Sequence, residues 1–568
     1  MNLSKSMLAA VAAAFSLPVF VLPVPALAQS MPGMEHRHHD DAPMTIEKLG
    51  SVHFPTSCLP ASQVSMERGV ALLHSFGYAE AETQFTDLTK SDPACAMAHW
   101  GAAMAEYHEI WEHPQPDALK SGAAEMERAR TLAEAPKGAT AREKAYIAAL
   151  SAFYNGASTS YAAGADAYTA GMAKLHADFP GDVEASAFYA LSLLADVAPG
   201  DTSLAKERKA LAILGPLFEQ HPDHPGLAHY IIHTCDTPAL APDGLAAARE
   251  YAKIAPSSAH ALHMPGHIFA RLGMWPEDVS SNLNSVAASE KAEQAGQPGV
   301  AHQLHADEFL IYAWLQMGDD TRARDLTGRI RSIGQHVDAL PGADDMKGMG
   351  AYFDNELSTL YPLEMHEWSA LAALQPSPGT TPDMLLWLMW GKGVAAGHLH
   401  DPKLAAEALA GFDAAVEATK KTPYADMVTA QSMIDRNDIL GWQAYTEGRP
   451  EDAIAALRRA ADQQDKLGQG EVDIPAREML ADLLMMLNRP QEALAQYKIA
   501  LKLSPNRLNG LLGAGEAAEK SGQKAEAVAF YAQAAKNTQN AANSKRPELL
   551  HAVLFAGTHT THAPVHTR

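Results

Sequence analysis

The chain has 568 residues, 47% of them hydrophobic and 20% charged, with a formal net charge of -23. Such an acidic surface argues against nucleic acid and anionic membranes as partners, and only three cysteines at this length exclude a disulfide-dense scaffold. No phosphate-cradling glycine loop, GxSxG elbow, CxxC pair or c-type haem attachment site is present.

Residues 1–28 read as an export signal: Lys5 opens it, Met7 to Val24 is mostly apolar, and Ala26-Leu27-Ala28 forms an A-x-A cleavage site before Gln29. Pro18, Pro23 and Pro25 interrupt the apolar run, which argues against a permanent membrane helix. A periplasmic or secreted protein that is not membrane-embedded is therefore expected. Residues 29–50 are polar and lack an apolar period, so a flexible tail is expected there. This tail offers Met31, Met34, His36, His38, His39 and Met44, a thioether and imidazole mixture that suits copper.

From 51 to 374 the pattern predicts a block of helical repeats. Gly69, Leu72, Ala81, Phe85 and Pro93 match the small, aromatic and helix-stopping positions of a tetratricopeptide repeat. Cys58 and Cys95 are the favoured disulfide pair, leaving Cys235 free. In YHEIWEHPQPD, His108 and His113 are five apart and on different helix faces, so the HExxH zinc-protease geometry fails. Trp100, Trp111, Trp387, Trp390 and Phe269 read as packing residues.

Histidines concentrate in the middle of this block: His229 and His233, then His260, His263 and His267, then His302 and His305. His229 and His233 share a helix face at i and i+4, as do His260, His263 and His267 at i, i+3 and i+7. His233, His267 and His302 recur at one repeat length, so a stack of repeats aligns them. Ser257 or Ser258 caps the middle helix, and Pro265 disturbs it, leaving carbonyls open to a ligand. All seven histidines are candidate ligands for a divalent transition metal (zinc, copper or iron), with Asp236, Asp307 or Glu308 to orient a ring or act as a base. The same pattern fits a hydrogen-bonded network of buried histidines that fixes helix register without any ligand.

Gln375 to Asp383 (QPSPGTTPD) is the expected boundary to a second block of repeats at 384–544. There Gly441, Gly448, Ala453, Leu457 and Ala460 form one copy; Ala481, Ala493, Tyr497, Ala500 and Pro505 form the next. Gly515, Gly522, Ala527, Tyr531 and Ala534 form a third. Leu480, Leu483, Leu484 and Leu487 make the apolar stripe of a packed helix. Residues 545–568 are expected to be loose. The fold class expected is all-α, a tetratricopeptide-type helical-hairpin solenoid with a right-handed superhelix.

The run AHYIIHTCDTP, followed by IAPSSAHALHMPGHIFARLGMW, resembles the tetratricopeptide repeat protein 38 family and its bacterial relatives. FPTSC, ALLHSFGYAEAETQF and DPACAMAHWGAAM are similar to the first repeat of its exported bacterial members. The resemblance spans roughly residues 54 to 315 and implies an α-solenoid but no reaction. HTCD stands where many relatives carry a serine and an aromatic, so any role of Cys235 is particular to this chain. The expected function is an exported scaffold whose concave face takes a protein, a peptide or a small ligand, with a histidine-lined metal centre. The alternatives are a metal-dependent hydrolase or oxidoreductase and periplasmic copper binding.

Overall fold

The computed structural model describes residues 47–110, 114–136, 138–198, 200–294, 302–340, 348–422, 425–539 and 544–560. The signal segment and the copper-suited stretch at 31–44 lie outside these residues. From Lys48 onward the described residues form helices joined by short loops, and no strand is present among them. Successive helices pack as antiparallel hairpins, giving the expected tetratricopeptide-type solenoid. No helix among the described residues is long and apolar enough to cross a membrane.

Small residues decide where helices cross. Phe85, fully buried on the helix Tyr78–Ser91, lies between Gly69 of the helix Gln63–His74 and Gly101 of the helix Ala96–Tyr107. A Cβ at either glycine would stand within 2.5 Å of the Phe85 ring, so a larger residue overpacks the crossing at a cost of about 1–3 kcal/mol. Gly441 meets Leu457, and Gly515 meets Tyr531, in the same way. These are the residues that mark the repeats in the sequence.

The buried apolar side chains divide into two main clusters, one running from Leu49 to Phe269 and the other from Ala270 to Ala556. The boundary expected at 375–383 is not a break in packing. Ser377 is buried there, its N–H donating to Asn355 Oδ1 at 3.2 Å and its hydroxyl to Asp354. The loose end expected from 545 is also corrected. Pro547–Thr560 is a helix that buries Leu549, Ala552 and Ala556, one face at i, i+3 and i+7. At the front, Lys48 already pairs with Ser257 through two hydrogen bonds of 2.9 and 3.3 Å, which moves the start of the ordered chain ahead of residue 51.

The last repeats dock onto the middle of the chain. Trp275 Nε1 donates to Asn506 O at 3.0 Å, and Asn506 Nδ2 donates to Gly273 O at 3.2 Å. Arg507, 1% exposed, donates to Glu364 and Glu478 at 2.7 Å and to the Tyr312 hydroxyl at 2.7 Å. A buried pair so completely bonded holds the contact in register, and removing one partner typically costs about 3–5 kcal/mol. The docking carries the loop between the helices Pro450–Leu467 and Ala476–Met486 to the histidines, with Glu471 at its tip.

Cys58 and Cys95 form the disulfide, and Cys235 is free and buried. Burial, with Asp243 and Asp236 nearby, pushes the Cys235 thiol up to about 12, so it packs as a small apolar group rather than a nucleophile.

Candidate metal centre

Four helices present the histidines, three short ones and the longer His302–Gln316. Pro225 opens the first, Pro225–Cys235, which carries His229 and His233 one turn apart. Ser258 caps the second, Ala259–His263, its hydroxyl accepting the Ala261 N–H at 3.2 Å. Pro265 stops that helix and starts Pro265–Arg271, so His260 and His263 lie on one piece and His267 on the next. The carbonyls loosened by the break are not left for a ligand, contrary to expectation: Leu262 O accepts Ser281 Oγ at 2.5 Å and Ala259 O accepts Ser285 Oγ at 2.8 Å.

Two sets of three result. In the first, His233 Nε2 and His260 Nε2 each stand 3.0 Å from His229 Nε2, while His229 Nδ1–H donates to the carbonyl of His74 at 2.6 Å. In the second, one ring nitrogen each from His263, His267 and His305 lies within 4.8 Å of the other two, and the Nε2 atoms of His263 and His267 are 2.9 Å apart. Here every Nδ1 is held by an acceptor. His263 donates to Asn282 Oδ1 at 2.6 Å, His305 to Glu308 at 2.7 Å, and His267 to Asp236 at 2.9 Å and Glu471 at 3.1 Å. The sets adjoin, the His260 and His263 rings being 6.5 Å apart.

Six of the seven predicted ligands are thus brought together. His302 begins the helix His302–Gln316, and its side chain lies outside the described ones. Asp236 and Glu308 orient rings as expected. Asp307 does not: it is buried elsewhere, with Arg329 and Glu290 as its charged neighbours, because it lies two residues from His305 and so on another face of the helix. Glu471 and Asn282 carry no local signature. Glu471 is some 200 residues from His267 and arrives only through the docking of the last repeats.

The environments of the rings differ. Burial holds His229 and His305 down to about 3, and His233 well below its usual value. Burial also depresses His267, but Asp236 and Glu471 outweigh it and push the ring up to about 10. Burial and then the repulsion of Glu471 push Glu308 up to about 8. Burial opposes the charge of Glu471, yet Arg271, Asp236 and His267 hold it well below the usual carboxylate range. One set is therefore neutral and enclosed, and the other is backed by carboxylates.

A third cluster, absent from the sequence reading, borders the first set. Glu184 accepts His74 Nε2–H at 2.6 Å and His224 Nε2–H at 3.0 Å. His74 Nδ1 meets the Tyr230 hydroxyl at 2.9 Å, and His224 Nδ1 accepts the Leu227 N–H at 3.2 Å as the cap of its helix. His74 stands in ALLHSFGY, a stretch noted only for its repeat pattern.

Two stretches of the chain, residues 66–109 and 478–542, match the family model described as tetratricopeptide repeat. No curated protein matches the chain. Among solved structures, the human IFIT1 dimer with m7Gppp-AAAA is 12% identical, with 82% of this chain and 94% of that chain covered at a TM-score of 0.35. The human IFIT1 dimer with PPP-AAAA is 11% identical, with 83% and 95% covered at a TM-score of 0.34. A monomeric IFIT1 mutant with m7Gppp-AAAA is 13% identical, with 86% and 95% covered at 0.35. At these scores no property is carried across.

Proposed function

We propose that this chain is an exported tetratricopeptide-type scaffold that takes a protein or peptide on its concave face and holds a transition metal ion at His263, His267 and His305. The observation that carries the metal reading is the fixing of all three Nδ1 atoms by Asn282, by Asp236 with Glu471, and by Glu308. Such acceptors set the tautomer and raise the basicity of a ring that ligates through its other nitrogen. An all-imidazole donor set suits zinc, copper or iron and not magnesium or calcium.

Export is supported by the A-x-A signal and by the Cys58–Cys95 disulfide, which belongs in an oxidising compartment. Membership among the exported relatives of tetratricopeptide repeat protein 38 is supported by the two motifs that supply five of the six clustered histidines. A metal-dependent hydrolase or oxidoreductase is the second reading. It is favoured by a set of three protein ligands among the described residues, which leaves a coordination position for water or substrate.

Elemental mass spectrometry of the mature chain, purified without a polyhistidine tag, tests the metal reading beside His267→Ala. The variant should lose stoichiometric metal that the parent holds. Equal metal in both, or none in the parent, contradicts it. Screening the loaded chain against generic ester, phosphoester and phenol substrates separates enzyme from scaffold.

A further inference from the structure

We infer that His229, His233 and His260 form a second metal site beside the first, so that the chain holds a pair of transition metal ions. The residues are disjoint from those of the site proposed above, so either can stand without the other.

The reason is the hydrogen-bond capacity of His229. Its Nδ1 carries the proton, because it donates to the His74 carbonyl at 2.6 Å. Its polar neighbours are that carbonyl and two other imidazoles, with no carboxylate bonded to it among the described residues to stabilise a charged ring. The ring is therefore neutral, and its Nε2 has one lone pair and no hydrogen. Yet both His233 Nε2 and His260 Nε2 approach that atom to 3.0 Å. A single in-plane lone pair accepts one well-directed N–H, so a network of neutral rings accounts for one of the two approaches and leaves the other a contact between polar atoms without a bond. A cation at the centre uses all three lone pairs together. Metal–imidazole bonds of about 2.0–2.1 Å place neighbouring donor nitrogens ~3.3 Å apart, a small opening from the separations found.

The surroundings point the same way. The Phe76 ring covers all three imidazoles, with centroids 4.4 Å from His229, 5.3 Å from His233 and 5.5 Å from His260. Tyr251 stacks on His229 at 5.0 Å. Phe76 takes a backbone φ of 54° as the left-handed cap that ends the helix Gln63–His74, the Gly77 N–H donating to Leu72 O at 2.9 Å, and this turn sets its ring beside the histidines. The short helix Ala259–His263 gives one ligand to each set, His260 to this one and His263 to the other, so the two ions share a single rigid element.

The class of ion follows from the donors. Three neutral imidazoles under an aromatic roof suit zinc or copper. Without the carboxylates that back the other set, a divalent ion is held less tightly here and leaves first under a chelator.

Native mass spectrometry of the mature chain, stripped with a chelator and reloaded with zinc, counts the ions. His233 is the most exposed ligand of the set and its polar contact is to His229 alone, so His233→Ala leaves the fold intact; His260→Gln is the second variant, and circular dichroism checks both. Two zinc ions per parent chain and one in His233→Ala, His260→Gln and His305→Ala are expected. Zinc on the histidine-bearing termini is common to all chains and cancels in the difference. A single zinc that survives His233→Ala and is lost in His305→Ala overturns this inference and leaves the first site standing. No zinc in the parent overturns both.

Discussion

Two buried histidine clusters meet at one carbonyl, that of His74, and they satisfy their nitrogens in opposite ways. In the His74–Glu184–His224 cluster every ring nitrogen meets a protein group that is not a histidine: Glu184 twice, the Tyr230 hydroxyl and the Leu227 N–H. In the His229–His233–His260 set the rings turn Nε2 atoms toward one another. Both bring three potential ligands within 4.8 Å, so proximity alone does not distinguish them. Donors and acceptors do: the first cluster is complete as protein, and the second is the one we propose that a cation completes. Burial raises the stakes in both, because a buried polar group without a partner costs about 1–3 kcal/mol.

The largest effect expected from this contrast is in the complete cluster. Glu184→Ala strips the acceptor from two buried N–H groups, and urea unfolding should show a loss of about 3–5 kcal/mol. That loss should be the same with and without a chelator. A chelator-sensitive loss would mean that the first cluster also holds an ion and that the contrast is wrong.

Metal removal should act on the other side only. At free zinc one hundred times the dissociation constant, a site stabilises the fold by about 2.7 kcal/mol. Scanning calorimetry should show this shift for each occupied site in the parent chain and not in a chain carrying both His233→Ala and His267→Ala. An equal shift in that double variant would place the ion elsewhere.

A smaller effect is expected one contact further out. Asn282 fixes His263 and is itself fixed by Asp278, its Nδ2 donating at 2.7 Å. Loss of an orienting group typically weakens metal binding about 10- to 100-fold. Asn282→Ala should therefore retain zinc with affinity reduced in that range. Unchanged affinity would show that the Nδ1 contacts are incidental.

Glu109 marks a third solution, the taking up of a proton. It is 1% exposed, both its carboxyl oxygens lack a hydrogen-bond partner, and burial raises its pKa well above the ordinary carboxylate range. The folded chain then keeps a proton that the unfolded chain releases above about pH 4.3, so stability falls as pH rises beyond that point, by up to about 1.4 kcal/mol per pH unit. Glu109→Gln should remove this dependence, so that the variant gains on the parent between pH 5 and pH 8 in unfolding experiments. A gap that does not change with pH would mean that Glu109 is ionised and compensated.

How much of this could be read beforehand follows from the range of each interaction. The repeats were legible because a crossing of two helices is local: Gly69 with Phe85, Gly441 with Leu457 and Gly515 with Tyr531 lie 16 residues apart in each case and leave a regular mark. The histidines were legible for the same reason, five of the clustered six falling within residues 229–267 and the sixth at 305. Their grouping was not. Equivalence at one repeat length aligned His233 with His267, whereas they fall in different sets, because the helix Ala259–His263 sends His260 to the first and His263 to the second. Glu471, Asn282 and the His74–Glu184–His224 cluster depend on contacts between separate repeats, for which no spacing rule exists. The packed helix after Pro547 was misread because exposed Leu550, Val553 and Leu554 stand between the buried Leu549, Ala552 and Ala556 and blur the apolar period.

The most direct measurement is a crystal structure of the zinc-loaded mature chain with data collected on both sides of the zinc absorption edge. An anomalous peak enclosed by His263, His267 and His305, with Asn282, Asp236, Glu471 and Glu308 still holding the far side of each ring, is the predicted result. Ordered rings in the same places with no peak among them, and the Nε2 atoms bonded to one another or to water, would contradict it and reduce the cluster to a device for setting helix register.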